Sequence, residues 1–312
     1  MDYIRNTKLV ALLGLGLSLF VAGCKSSDGE VPFKDKPMAM GLSYTDNAEG
    51  SVESIYNNIV SALEANSAIG IVAEVNHQQN AQNAGLDLNP TRVVLFGNPK
   101  LGTPLMQANQ QAGLDLPQKM LVYENDLGQT YAAFNSAQYV ASRHGVDTVS
   151  TLPTIEMALT NLAKNATNGT VVTADNNTVA LNEGVVSMES ANSFSETYEK
   201  LRSAIAGNSN LKIIAELDHQ QNAKSVGLEL NPTKLIVFGN PNLGTPLMQA
   251  EQTIAIDLPQ KMLVYQDESG KVMVAFNNPY YLAKRHGVTG EDKVLKQIQT
   301  ALSNLATGAT QQ

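Results

Sequence analysis

One short segment occurs twice. Phe96–Ala108 reads F-G-N-P-K-L-G-T-P-L-M-Q-A, and Phe238–Ala250, 142 residues further on, reads F-G-N-P-N-L-G-T-P-L-M-Q-A. The same offset joins His77 to His219, Tyr123 to Tyr265, Phe134 to Phe276 and His144 to His286. It runs without a gap from the Ser51/Ser193 pair to the Gly145/Gly287 pair. A-L-T-N-L-A at Ala158 then meets A-L-S-N-L-A at Ala301 after a slip of one residue. A unit of this length is a domain, because solenoid repeats run to only about 20–50 residues. The chain is a tandem duplication, and the fold of one copy must suit the other. Its 312 residues leave room for about two ordinary domains. With 43% apolar and 16% charged residues, each copy can bury a core.

Both copies show the same order of elements. M-A-M-G-L-S-Y (Met38–Tyr44) and V-V-S-M-E-S (Val185–Ser190) predict first strands. Val52, Ile55, Ile59 and Leu63 form the apolar stripe of a helix, as do Phe194, Tyr198, Leu201 and Ile205. Ser193 with Glu196 makes a capping box, and Ser51 caps the first copy's helix. I-G-I-V-A-E-V-N and L-K-I-I-A-E-L-D predict strands ending at His77 and His219; R-V-V-L-F and K-L-I-V-F predict the next pair. K-M-L-V-Y faces Thr130–Phe134 across Gly128, and its repeat faces Val272–Phe276 across Gly270, as hairpins. Helices follow around Tyr139 and Tyr281, then near Leu159 and Leu302. The expected fold class is α+β: two tandem two-layer domains, each an antiparallel sheet with helices packed on one face. The expected boundaries are 37–164 and 183–308. An Asn- and Thr-rich linker, 165–182, joins them and has room for one weak edge strand.

Residues 1–23 stand apart. Arg5 and Lys8 flank the start of an apolar run, Leu9–Ala22, too short to span a bilayer comfortably, which is a secretory signal pattern. The run closes on V-A-G-C, Val21–Cys24, which resembles the lipobox of bacterial lipoproteins. That resemblance implies cleavage before Cys24 and diacylglycerol on its thiol. Two lipid-bearing groups, palmitate among them, would anchor the chain in the bacterial cell envelope, facing the periplasm or on the outer membrane. Residues 24–36 then read as a flexible tether. Cys24 is the only cysteine, so no disulfide can form within the chain and stability rests on packing. A net charge of -8, no basic cluster and no Trp exclude a phosphate-backbone or base-stacking partner; no nucleic acid is expected.

Within the repeated segment a strand ends, the chain turns through Gly-Asn-Pro, and a helix begins. Thr103 with Pro104, and Thr245 with Pro246, read as N-cap and first helical residue. Gly97 and Gly102 have the G-x-x-x-x-G spacing of a P-loop. Thr103 and Pro104, however, stand where that motif needs its lysine and its Mg²⁺-binding hydroxyl, which excludes nucleotide binding. Free N–H groups at the helix start could hold a small anion or carboxylate. On the plainer reading, Asn98 and Asn240 only fix a turn beneath a packed Leu-Met pair, with Met106 and Met248 as core filler.

All four histidines of the chain are repeat-equivalent. His144 and His286 lie in R-H-G, a helix end where a cation suits the dipole and Gly takes the left-handed cap. His77 and His219 follow a strand and have no comparable local reason. The candidate ligand-binding residues are therefore His77, Asn98, Thr103 and His144, with His219, Asn240, Thr245 and His286 as their counterparts. His77 is expected to approach the Gly97–Thr103 turn of its own copy or the equivalent turn of the other, and His219 the Gly239–Thr245 turn. His144 is expected to cap its helix and face the same cavity. Two imidazoles without an available cysteine are a weak metal signature. No cofactor is expected and no catalytic residue is assigned.

D-H-Q-Q-N-A, V-G-L-E-L-N-P-T, the repeated segment, D-L-P-Q-K-M-L-V-Y and Y-L-A-K-R-H-G-V together resemble the domain-of-unknown-function family 302, once per half. The resemblance implies a two-layer α+β fold of the TATA-box-binding-protein-like kind, commonly dimeric. It brings neither an established reaction nor catalytic residues. Asn76 stands where the family pattern has Asp, so the resemblance implies an acid beside the histidine only in the second copy. Three functions stay open. One is an envelope binding module with two similar sites for a small ligand, anion or metal. Another is a hydrolase-like enzyme with a His general base, although G-x-S-x-G and H-E-x-x-H are both absent. The third is a structural role with the halves docked as an intrachain pseudo-dimer, since duplicating a dimeric unit preserves its self-complementary patch.

Overall fold

The computed structural model describes residues 36–173 and 178–312. The signal segment, Cys24 and nearly all of the tether lie outside the described residues. The first copy runs β1 (Leu42–Asp46), α1 (Val52–Glu64), β2 (Gly70–Asn76), α2 (His77–Asn83), β3 (Thr91–Gly97), α3 (Pro99–Ala108), a 3-10 turn (Gln110–Leu114), β4 (Gln118–Glu124), β5 (Thr130–Asn135), α4 (Ala137–His144) and α5 (Leu152–Thr167). A short strand, β6 (Thr170–Thr173), follows. The second copy runs β7 (Val185–Ser190), α6 (Phe194–Ala206), β8 (Lys212–Asp218), α7 (His219–Ser225), β9 (Thr233–Gly239), α8 (Pro241–Ala250), a 3-10 turn (Gln252–Ile256), β10 (Gln260–Gln266), β11 (Val272–Asn277), α9 (Pro279–His286) and α10 (Asp292–Thr310).

Two antiparallel sheets result, ordered β2-β3-β4-β5-β1-β6 and β7-β11-β10-β9-β8, so the fold is α+β in two tandem domains. Side chains alternate between faces with the period of a strand. Val94, Phe96, Met120, Val122 and Phe134 share a core with Ile55, Ile59 and Leu63 of α1 and Leu159 of α5. The alternate residues Val93, Leu95, Leu121, Tyr123 and Ala133 enter a second core with Leu235, Val237, Leu263 and Tyr265 of the other copy. Each sheet thus carries helices on one face and meets the other copy on its second face. The 3-10 turns are exchanged: Gln110–Leu114 packs on β9, β10 and β11, and Gln252–Ile256 packs on β3, β4 and β5.

Hydrogen bonds across this junction come in pairs related by the repeat offset. Gln107 Nε2 donates to the carbonyl of Glu229 at 2.7 Å and Gln249 Nε2 to that of Asp87 at 2.6 Å. Gln110 Nε2 donates to Thr233 Oγ1 at 2.9 Å and Gln252 Nε2 to Thr91 Oγ1 at 2.7 Å. The copies differ at one sheet edge. β6 pairs with β1, and no strand covers the equivalent edge of β7 among the described residues.

Two local expectations are corrected. The first strand begins at Leu42, four residues after Met38, and extends to Asp46. More consequentially, Thr103 and Thr245 are not N-caps. Asn98 and Asn240 cap α3 and α8, with Pro99 and Pro241 at the first helical positions, so Thr103 and Thr245 lie inside the helices and are buried. Asn-Pro and Thr-Pro both have the chemistry of a helix start, and the chain uses the earlier pair.

Candidate functional site

β2 and β3 are antiparallel, with Gly70 opposite Gly97 and Asn76 opposite Arg92. His77, the first residue of α2, therefore leaves the sheet at the end away from its own Gly97–Thr103 turn. The edge strands β2 and β8 of the two sheets pack beside one another, α2 packs on α8, and α3 packs on α7. His77 accordingly shares a cavity of about 350 Å³ with Asn240 and Thr245 of the second copy. His219 shares one of about 230 Å³ with Asn98 and Thr103 of the first. The expectation that His219 approaches Gly239–Thr245 is corrected: both pairings cross between copies, because the antiparallel register removes the within-copy route.

The segments that carry the histidines are built alike. Asn76 Oδ1 accepts from Gln79 N at 2.9 Å, and Asp218 Oδ1 accepts from Gln221 N at 2.9 Å. Asn and Asp are equally good N-caps, so the first copy's departure at Asn76 keeps the cap. The helix starts opposite them are closed to anions. Asn98 takes Lys100 N on its side chain and Leu101 N and Gly102 N on its carbonyl; Asn240 does the same for Asn242, Leu243 and Gly244. Pro99 and Pro241 have no N–H to offer. The free N–H groups that an anion would need are absent there, which corrects the helix-start anion site.

What remains open in each cavity is side-chain chemistry. His77 and His219 are 5% and 4% exposed, and Thr103 and Thr245 are each 1% exposed. The Nε2 atoms of both histidines and the Oγ1 atoms of both threonines have no hydrogen-bond partner among the described residues. Burial lowers His77 to a pKa of about 4, against the pull of the Leu258 and Ala255 backbone. Burial likewise lowers His219 to about 4, opposed by the Gly113 backbone and the Asp218 charge. Both imidazoles are neutral at pH 7. The walls are apolar: Phe238, Leu258 and Leu302 in the larger cavity, Phe96, Leu116 and Leu159 in the smaller. Met106 and Met248 are buried and complete the packing.

His144 and His286 end α4 and α9 before glycines in the left-handed conformation (φ 63 and 76), as R-H-G predicts. They do not face the cavities. His144 Nε2 lies 2.8 Å from Asp115 Oδ2, and His286 Nε2 lies 2.9 Å from Asp257 Oδ2. Each aspartate also takes an arginine, Arg143 at 2.7 Å on Asp115 and Arg285 on Asp257. Each arginine reaches into the other copy, Arg143 to Asn277 Oδ1 and Arg285 to Asn135 Oδ1, both at 2.8 Å. Lys119 Nζ crosses to Asp257 at 3.4 Å. Burial would raise both aspartates, but Arg143 with His144, and Arg285 with Lys119, outweigh it and hold the carboxyls well below their usual range. Burial and the neighbouring Lys119 push Lys261 well below the lysine range. The sequence reading missed this network. Its signal was present in D-L-P-Q-K-M-L-V-Y, where an acid and a lysine recur at the repeat offset beside an apolar strand.

Among the described residues no group of three His, Cys, Asp or Glu could hold a metal ion, and no helix is long and apolar enough to cross a membrane.

Part of the chain is similar to curated bacterial proteins. The fluoride-specific ion channel FluC 1 of Brucella suis biovar 1 (strain 1330) is 41% identical over 121 residues, covering 38% of this chain and 47% of that protein. The FluC 1 protein of Brucella abortus biovar 1 (strain 9-941) is 41% identical over 121 residues, 38% of this chain and 44% of that one. The chain thus spans less than half the length of the curated relatives it matches. Among solved structures, the crystal structure of an uncharacterized conserved protein DUF302 from Bacillus stearothermophilus matches 40% of this chain and 98% of its own, with 16% identity and a TM-score of 0.37. The family described as "Domain of unknown function DUF302" matches residues 44–166 and again 186–305. The chain belongs to this family and carries its domain as two tandem copies.

Proposed function

We propose that this protein is a two-site binding module in which each pocket takes one compact, largely apolar molecule through a neutral hydrogen-bonding group such as a hydroxyl. One observation carries the reading: each cavity is lined by a histidine and a threonine whose Nε2 and Oγ1 are buried without a partner among the described residues. A buried polar atom without a partner costs about 1–3 kcal/mol. A ligand hydroxyl, donor and acceptor at once, answers both atoms, and the apolar walls supply the remaining affinity. On this reading the copies act as an intrachain pseudo-dimer, since neither copy alone has both halves of a pocket.

Neutral imidazoles and closed helix starts disfavour a bare anion deep in either pocket. A general base is disfavoured too, because a histidine held to a pKa of about 4 is a weak base at neutral pH. The curated relatives are described as fluoride-specific channels, so fluoride is the competing probe. The test is thermal unfolding of the full chain with hexan-1-ol or sodium fluoride, since a native-state ligand raises stability. Hexan-1-ol is expected to raise Tm, and the Thr103→Val/Thr245→Val double variant to lose that rise. A rise with fluoride alone, or none with hexan-1-ol, would overturn the reading.

The module is held at the cell envelope by a lipid on Cys24, and the membrane is its partner through that anchor. The support is V-A-G-C at the end of the apolar run, with the chain's only cysteine at its last position. Cys24→Ser is expected to move the protein out of the membrane fraction and leave an unlipidated precursor. Unchanged fractionation with an unchanged mass would contradict it.

A further inference from the structure

The two pockets differ in side-chain charge where β8 and β2 begin. Lys212 begins β8 and lines the larger cavity; its repeat equivalent, Gly70, begins β2 and lines the smaller. The Lys212 ammonium is exposed and makes no hydrogen bond or ion pair among the described residues. At Gly70 a Cβ would meet nothing within 4 Å, so that rim is bare. The one acid at the larger rim, Glu74, is already answered by Tyr56 Oη at 3.0 Å and Arg92 at 4.0 Å. The deep ends of the pockets are alike, one neutral imidazole and one hydroxyl each.

We infer that the pockets have diverged in ligand charge: the His77–Thr245 pocket takes a short hydroxycarboxylate, and the His219–Thr103 pocket takes an uncharged alcohol of similar size. This rests on the two-site reading above and adds the ligand class. A carboxylate cannot enter the neutral, apolar depth without losing its hydration unrepaid. It therefore stays at the rim beside Lys212 while the hydroxyl reaches His77 and Thr245. The smaller pocket has no cation for that role. The volumes, about 350 and 230 Å³, stand near and below the low end of ligand pockets, which span about 300–1,000 Å³, so the body is short.

The test is calorimetric titration of the full chain with 6-hydroxyhexanoate and with hexan-1-ol, at low and at high salt. Hexan-1-ol is expected at both sites. 6-Hydroxyhexanoate is expected at one site, about fivefold tighter than the alcohol there, with the advantage fading as salt screens the rim ion pair. Lys212→Met should erase that advantage, and Gly70→Lys should create a second site for the acid. Both positions are exposed or bare, and circular dichroism checks that the variants fold. If Lys212→Met leaves the acid's affinity unchanged while Thr245→Val abolishes binding, the charge divergence is wrong and the two-site reading stands. If neither probe binds the parent chain, both fall.

Discussion

His144 and His286 each meet a carboxylate, at 2.8 and 2.9 Å, inside a network that ties one copy to the other. His77 and His219 are nearly as buried, yet their Nε2 atoms meet nothing among the described residues. The contrast separates two uses of one residue type within one duplicated fold. In the first pair each histidine Nε2 has a carboxylate, and each carboxylate has an arginine that reaches the other copy, so the histidines hold the architecture. His144 Nδ1, Asp115 Oδ1 and Lys261 Nζ in the same network have no partner among the described residues. In the second pair the imidazole is met by the backbone of the other copy, at Leu258 and Ala255 or at Gly113, while its Nε2 stays unanswered beside a threonine in the same position. Packing between the copies accounts for the Nε2 contacts of the first pair; the unanswered Nε2 of the second pair is where the proposed ligand would bind.

The largest effect should come from breaking the network. Asp257→Ala leaves Arg285, Lys119 and Lys261 buried beside one another without their carboxylate, and removing one member of a buried ion pair costs about 3–5 kcal/mol. Urea unfolding measures this. A loss below about 1 kcal/mol would mean that the cluster is solvated, and the contrast would collapse.

Acid should act next, in two separable windows. An unfolded histidine titrates near 6.5, and burial holds His77 and His219 to about 4. Between those values the unfolded chain binds more protons, so stability is whole above pH 6.5 and falls as pH drops toward 4, by on the order of 3 kcal/mol for each imidazole. His286, also lowered by burial despite its bond to Asp257, acts in the same direction as pH falls below 6.5. The depressed Asp115 and Asp257 contribute stability that is present above about 3.8 and is lost only at lower pH. His77→Leu/His219→Leu should reduce the fall in stability between pH 6.5 and 4, leaving the contribution of His286 and the limb at lower pH. An unchanged slope in the upper window would contradict the assignment.

Much of this architecture was legible in the sequence. The 142-residue offset fixed the duplication, apolar stripes placed α1 and α6, and R-H-G placed a helix end with a left-handed glycine. The start of α3 was not, because Asn98-Pro99 and Thr103-Pro104 offer the same capping chemistry five residues apart. The partner of His77 was not legible either. Local pattern gives the antiparallel register that carries His77 away from Gly97, but only the packing of β2 beside β8 brings in Thr245. Asp115 and Lys119 were hidden for the same reason, since their burial is imposed by the other copy.

A smaller effect sharpens the contrast through its sign. Thr91 Oγ1 donates to Asn89 O and accepts from Gln252, and Thr233 does the same with Asn231 and Gln110. Thr91→Val and Thr233→Val should each destabilise by about 1–2 kcal/mol. Thr103→Val and Thr245→Val remove hydroxyls that have no partner, so they should be neutral or stabilise by up to about 1 kcal/mol. If all four threonines behave alike, the pocket hydroxyls are not unanswered.

Each pocket is shared between the copies, and binding stoichiometry reads that sharing out. Hexan-1-ol is titrated into two double variants of the full chain. His77→Leu/Thr245→Val strikes one pocket from both sides and should leave one binding site. His77→Leu/Thr103→Val strikes both pockets once each and should leave none. The reverse pattern would assign each histidine to the turn of its own copy, and two sites surviving in both variants would remove these residues from binding altogether.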